Sequence, residues 1–144
     1  MKDYIFLLAP LLGWLIAQTI KVVISLHKRE WRIESFLSSG GFPSSHSAFT
    51  TALVTVVCMV YGIKSIYFAI VAVFCGIVLY DSLGVRKTTG DQTKAIQEIA
   101  KRSKVNLKTK ITKSEGHSAG EVLGGVAVGI VAGLVLYSFA TGYF

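Results

Sequence analysis

Charge is scarce in this 144-residue chain: Asp, Glu, Lys and Arg make up 16% of it, against about 25% in a typical soluble domain. With 52% apolar residues and a mean hydropathy of +0.58, too few polar side chains remain to clothe a soluble fold. Acidic residues are scarcer still, eight against fifteen Lys and Arg, for a net charge of +7. Cysteine is confined to Cys58 and Cys75, both inside apolar stretches and without metal-ligand spacing. That excludes a disulfide scaffold and reads as two buried small hydrophobes. No low-complexity run is present, which excludes a disordered tail, and the length and four apolar stretches exclude a multidomain enzyme. A single helical membrane domain over residues 1–144 remains.

Four apolar stretches are present: Tyr4 to Leu26, about Ser47 to Ile63, about Ile63 or Ser65 to Tyr80, and about Ala119 to Phe139. The first is long enough to cross a hydrocarbon core of about 30 Å at about 1.5 Å per residue. It exceeds a signal-peptide core and no small-x-small cleavage site follows, so it reads as a retained anchor. The middle two, joined through Gly62-Ile63-Lys64-Ser65, form a helical hairpin. The expected fold is all-α: a bundle of about four transmembrane helices with a short amphipathic surface helix.

Four crossings place the Leu26 to Ser45 and Asp81 to Ser118 connections on one side, with both termini opposite. The first side carries Lys28, Arg29, Arg32, Arg86, Lys87, Lys94, Lys101, Arg102, Lys104, Lys108, Lys110 and Lys113; the other carries Lys2 and Lys64. The positive-inside rule therefore puts both long connections in the cytoplasm and both termini outside, in a bacterial-type plasma membrane. A phosphate site would gather the same cations, yet ten remain against two without Arg86 and Lys87. Tyr4, Tyr61, Tyr67, Tyr137 and Tyr143 fall near the expected outer ends, as an interfacial belt does.

Within the second connection, Asp91 to Lys104 has Ala95, Ile96, Ile99 and Ala100 at helical spacing among Lys, Arg, Gln and Glu. It reads as a basic amphipathic helix lying on anionic headgroups, with a direct substrate role as the alternative. Nucleic acid is not an expected partner, because the basic residues hug the membrane without an interleaved aromatic platform. Gly120, Gly124, Gly125, Gly129 and Gly133 give Gly-x-x-x-Gly spacings that let backbones approach closely. They serve packing within the bundle or a homodimer, and the pattern alone does not separate the two.

Two segments carry candidate chemistry: Gly40-Gly41-Phe42-Pro43-Ser44-Ser45-His46-Ser47-Ala48 and Lys113-Ser114-Glu115-Gly116-His117-Ser118-Ala119-Gly120-Glu121. Each ends a basic connection and opens a membrane helix, where unsatisfied N–H groups and the helix dipole favour an anion. Two histidines on one membrane face can divide phosphoryl transfer, one attacking phosphorus and the other protonating the leaving oxygen. The alternative is helix punctuation: Ser44, Ser45 and Ser47 are capping residues, and Ser118-Ala119-Gly120-Glu121 matches a capping box. Glu121, four residues after His117, is expected on the same helical side. Lys21 within the first stretch either snorkels or faces a polar cavity.

Pro43-Ser44-Ser45-His46 resembles the P-S-G-H signature of the type 2 phosphatidic acid phosphatase superfamily, and His117-x-x-x-Glu121 resembles its H-x-x-x-D signature. Together with Tyr80-Asp81-Ser82-Leu83-Gly84-Val85-Arg86-Lys87, nearly the whole chain is similar to the superfamily's divergent branch, described as acid phosphatase or vanadium-dependent haloperoxidase-related. The resemblance implies His117 as nucleophile, Glu121 as its orienting carboxylate and His46 as general acid. It implies no metal or other cofactor, inhibition by vanadate, and a phosphorylated lipid or small phosphoester as substrate. The first signature, K-x6-R-P, is met only by Lys21 and Lys28 without arginine or proline, and Ile111 stands where the third signature has arginine. Arg86 and Lys87 then supply the missing cations, with Lys21, Lys28, Ser44 and Ser45 completing the phosphate-binding set. A catalytically silent lipid-phosphate-binding or scaffold protein is the second reading, and His46, Asp81, His117 and Glu121 as metal ligands are a third.

Overall fold

The computed structural model describes residues 3–28, 41–103 and 117–142. They form five helices: α1 (Ile5–His27), α2 (Ser45–Tyr61), α3 (Ile66–Leu83), α4 (Val85–Arg102) and α5 (Ala119–Thr141). Among them α1, α3 and α5 are long and apolar enough to cross a membrane, and α2, at 17 residues, is a shorter apolar helix. Its length of about 25 Å is near the hydrocarbon thickness.

α2 is the centre of the bundle and packs on α5, α1 and α3. The Phe6 ring stacks on Tyr61, and Tyr61 lies 4.7 Å from Tyr67. The starts of α1 and α3 therefore meet the end of α2. At the other end Lys21 reaches Ser45, and the Ser44 N–H donates to the Glu121 carbonyl. Hence α1 and α3 run antiparallel to α2 while α5 runs parallel to it, and the two long connections leave from the same end.

Side-chain size is distributed inversely to a soluble core. Ala9, Ala17, Ala48, Ala52 and Ala132 are fully buried, while Leu7, Leu11, Leu15, Phe74, Ile77 and Phe139 face outward. Lipid solvates large apolar side chains, so helix association gains little from hiding them and relies on close packing of small residues. The glycine series of α5 does this inside the chain. A Cβ on Gly129 would lie 2.6 Å from the Ala48 carbonyl oxygen, one on Gly133 would lie 2.7 Å from Thr55 Cβ, and one on Gly125 would strike the Ser44 carbonyl oxygen. This face is thus occupied by α2. Thr50 and Thr55 tolerate the apolar setting because their hydroxyls donate back to the carbonyls of His46 and Thr51.

Helix limits follow the capping bonds. Ser44 and not Ser47 caps α2, its Oγ accepting from the Ser47 N–H over 3.3 Å, so the helix begins two residues before the expected start. Ser65 caps α3, which continues through Asp81 to Leu83. The amphipathic helix begins at Val85, directly after Gly84, and not at Asp91. Arg86 and Lys87 consequently lie in its first turn. Arg29, Arg32, Lys104, Lys108, Lys110, Lys113 and Tyr143 lie outside the described residues.

Candidate active site

The end of the bundle where α2 and α5 begin holds the candidate residues. Each start is fixed by a serine cap. Ser44 Oγ accepts from the Ser47 N–H and the Ser47 hydroxyl, while Ser118 and Glu121 form a reciprocal capping box. Two backbone bonds tie these mouths to the bundle. The Ser44 N–H donates to the Glu121 carbonyl over 2.8 Å, and the His117 N–H donates to the Ser82 carbonyl at the end of α3 over 3.3 Å. Pro43 is buried, its peptide bond with Phe42 is cis, and Gly41 has φ +95°. The Phe42 ring lies where a Cβ on Gly124 would stand, so the loop before α2 is laid directly on α5.

These restraints bring the two histidines together, with ring centroids 6.4 Å apart and planes at 77°. His46, in the first turn of α2, is exposed, whereas His117 is only 1% exposed. At this separation both rings can reach one phosphoryl group lying beside them and not between them, since attacking nitrogen, phosphorus, leaving oxygen and acid in line span about 7–8 Å. Orthogonal planes let the nitrogens of the two rings address different sides of such a group.

Lys21 completes the polar cluster from α1. It is 8% exposed, and its Nζ donates to Ser45 Oγ over 3.4 Å. The Glu121 carboxylate acts on it electrostatically. Of the two readings open for this lysine, the structure has it facing the polar cluster and not snorkelling to the surface. Ser44 and Ser45 are buried beside it. Lys28 is different: it follows the end of α1 and is exposed, about 10 Å further along the axis by helical rise. Arg86 and Lys87 belong to the described backbone of α4, but their side chains lie outside the described residues.

The helical spacing does not relate His117 to Glu121. His117 precedes the cap, so it is not on α5 and shares no helical side with Glu121. Instead Glu121 Oε2 accepts from the Ser118 N–H over 2.9 Å. The helix-punctuation reading therefore describes Ser118 and Glu121 correctly without excluding chemistry at His117. Sequence reasoning passed over Ser82, whose buried position and carbonyl hold the His117 backbone. A bond made by a backbone carbonyl leaves no mark in residue type. Among the described residues, no three His, Cys, Asp or Glu side chains gather as metal ligands, so the ligand set His46, Asp81, His117 and Glu121 is not assembled there.

A cavity of about 290 Å³ opens at the opposite end of the bundle, where Phe6, Tyr61 and Tyr67 meet, and its lining is apolar. It lies apart from the histidines.

Residues 2–132 match the family described as the Divergent PAP2 family. The chain is also 35% identical over 150 residues to the uncharacterized membrane protein YuiD of Bacillus subtilis (strain 168), covering 92% of this chain and 94% of that protein. No solved structure matches.

Proposed function

The chain belongs to the Divergent PAP2 family, and from that premise we propose that it is an integral membrane phosphatase hydrolysing a phosphomonoester or pyrophosphate, most simply of a lipid. The observation that carries this reading is the His46–His117 pair at 6.4 Å, set at two helix mouths.

In the first step a ring nitrogen of His117 attacks phosphorus, the bond from phosphorus to the leaving oxygen breaks, and His46 gives its proton to that oxygen. In the second, water attacks the phosphohistidine, His46 takes the water's proton, and inorganic phosphate leaves with His117 restored. Lys21, Ser44, Ser45 and the N–H groups of the first turn of α2 bind the phosphoryl oxygens; Arg86 and Lys87, whose backbone lies in the first turn of α4, and Lys28, just after α1, are the further cations assigned to phosphate. Glu121 is a positioning residue. Its carboxylate fixes the Ser118 N–H, and so the chain direction at His117, while offsetting the Lys21 charge until phosphate replaces it.

Four crossings with the site on the cytoplasmic face accommodate both the antiparallel packing and the twelve cations of the two connections. Purified protein is expected to release phosphate without added metal, to be inhibited by vanadate and to lose turnover in His117→Ala. Undiminished turnover in that variant would remove His117 from the mechanism.

One observation favours a second reading, a lipid-phosphate-binding protein without turnover: His117 is 1% exposed. That protein binds phospholipid in an Arg86-dependent manner and gives no burst of phosphate in a single turnover.

A further inference from the structure

Among the described residues, the isoleucines of α4 face outward from the bundle. Ile96 is 49% and Ile99 65% exposed, while Gly90 and Thr93, smaller and less apolar, are buried. A surface helix packed on a soluble core would bury the isoleucines and expose the threonine. Here the arrangement is reversed. Gly84 alone separates α4 from the end of α3, the least buried of the three candidate spans, so α4 begins where the chain leaves the apolar phase.

Its charge is mostly of one sign. Arg86, Lys87, Lys94, Lys101 and Arg102 stand against Asp91 and Glu98, and Glu98 is already paired with Arg102. Lys94 is two positions from Ile96 and therefore almost opposite it on the helix. An exposed apolar stripe backed by net positive charge, attached to the end of a membrane helix, complements an anionic headgroup layer above acyl chains.

We propose that α4 is an interfacial helix that docks on anionic phospholipid, inserting Ile96 and Ile99 into the acyl boundary at the membrane face where the His46–His117 site opens. Docking fixes the start of α4, and with it the backbone at Arg86 and Lys87, against the bilayer surface. The inference stands whether or not the protein turns over a phosphate ester.

Single nitroxide labels at position 96 or 94, in full-length Cys58→Ala/Cys75→Ser protein, test it in nanodiscs of neutral phosphatidylcholine with or without anionic phosphatidylglycerol. In anionic discs the label at 96 is expected about 5–10 Å below the headgroups and the label at 94 in water. Neutral lipid at raised salt should increase access of an aqueous relaxant to position 96 several-fold. Equal aqueous access at 94 and 96, or a depth at 96 that ignores lipid charge, overturns the proposal. Label-to-label broadening at 96 also overturns it, by identifying a second copy as the cover. Amide exchange of the unsubstituted protein gives an independent reading: protection across 85–102 should rise several-fold in anionic discs, and unchanged protection counts against docking.

Discussion

The Ser44 N–H donates to the Glu121 carbonyl over 2.8 Å, bolting the first turn of α5 to the cap of α2. The contact exists because Gly125 lacks a side chain: a Cβ there would collide with the Ser44 carbonyl oxygen. Gly125→Ala is expected to force the mouths apart, lowering stability in detergent by about 1–3 kcal/mol and phosphatase activity with it. Gly120→Ala is the control, since nothing lies within 4 Å of its Cβ position; it should leave stability unchanged or raise it by up to about 1 kcal/mol. Thermal unfolding of both variants checks the contrast, and equal losses would contradict the packing account.

Lys21 Nζ is held against Ser45 from within α1, a candidate membrane span. Such a group costs stability and is retained for a ligand or a pathway. Lys21→Met, similar in length and apolar, should preserve or improve stability while reducing turnover roughly 10²-fold, the scale of losing one preorganised donor to developing charge. Paired unfolding and activity measurements separate the effects. A stability loss with full activity would make Lys21 structural.

Glu121 allows the cap and the charge to be separated. Gln at this position can still close the capping box, so Glu121→Gln should keep the fold and lose activity through the missing charge beside Lys21. Glu121→Ala removes both and is expected to cost about 1 kcal/mol in addition. If the Gln variant matched the unsubstituted protein, the carboxylate would serve the helix alone.

In the proposed mechanism His46 serves the leaving group, which makes its effect dependent on substrate. His46→Ala should slow poor leaving groups, such as an alkyl phosphate, far more than an aryl phosphate whose oxygen needs no proton. Comparing kcat/KM across a leaving-group series checks this, and a uniform loss would assign His46 to binding.

The positions of the helices were legible because each crossing must be a long apolar stretch: the expected Tyr4 to Leu26 and Ala119 to Phe139 correspond to Ile5–His27 and Ala119–Thr141. The histidine pair was legible from two serine-rich helix starts on one side. What escaped was set by bonds without residue-type signatures. Ser44, Ser45 and Ser47 are all competent caps, and only tertiary placement selects Ser44. The Ser118 cap is legible from its capping box, but it leaves His117 outside α5, where the i to i+4 spacing to Glu121 has no helical meaning and the Ser82 carbonyl holds the His117 N–H. Gly84 marks the α3 boundary, but a helix resuming at Val85 has no capping side chain to announce it.

The central claim is that His117 carries the phosphoryl group. Single-turnover reaction with a panel of phosphorus-labelled lipid phosphates, quenched in alkali and mapped by mass spectrometry, tests it most directly. The account predicts acid-labile phosphate on His117, absent in His117→Ala and accumulating when water attack is the slow step. Lipid phosphate bound tightly with neither phosphohistidine nor released phosphate would contradict it and identify a binding protein instead.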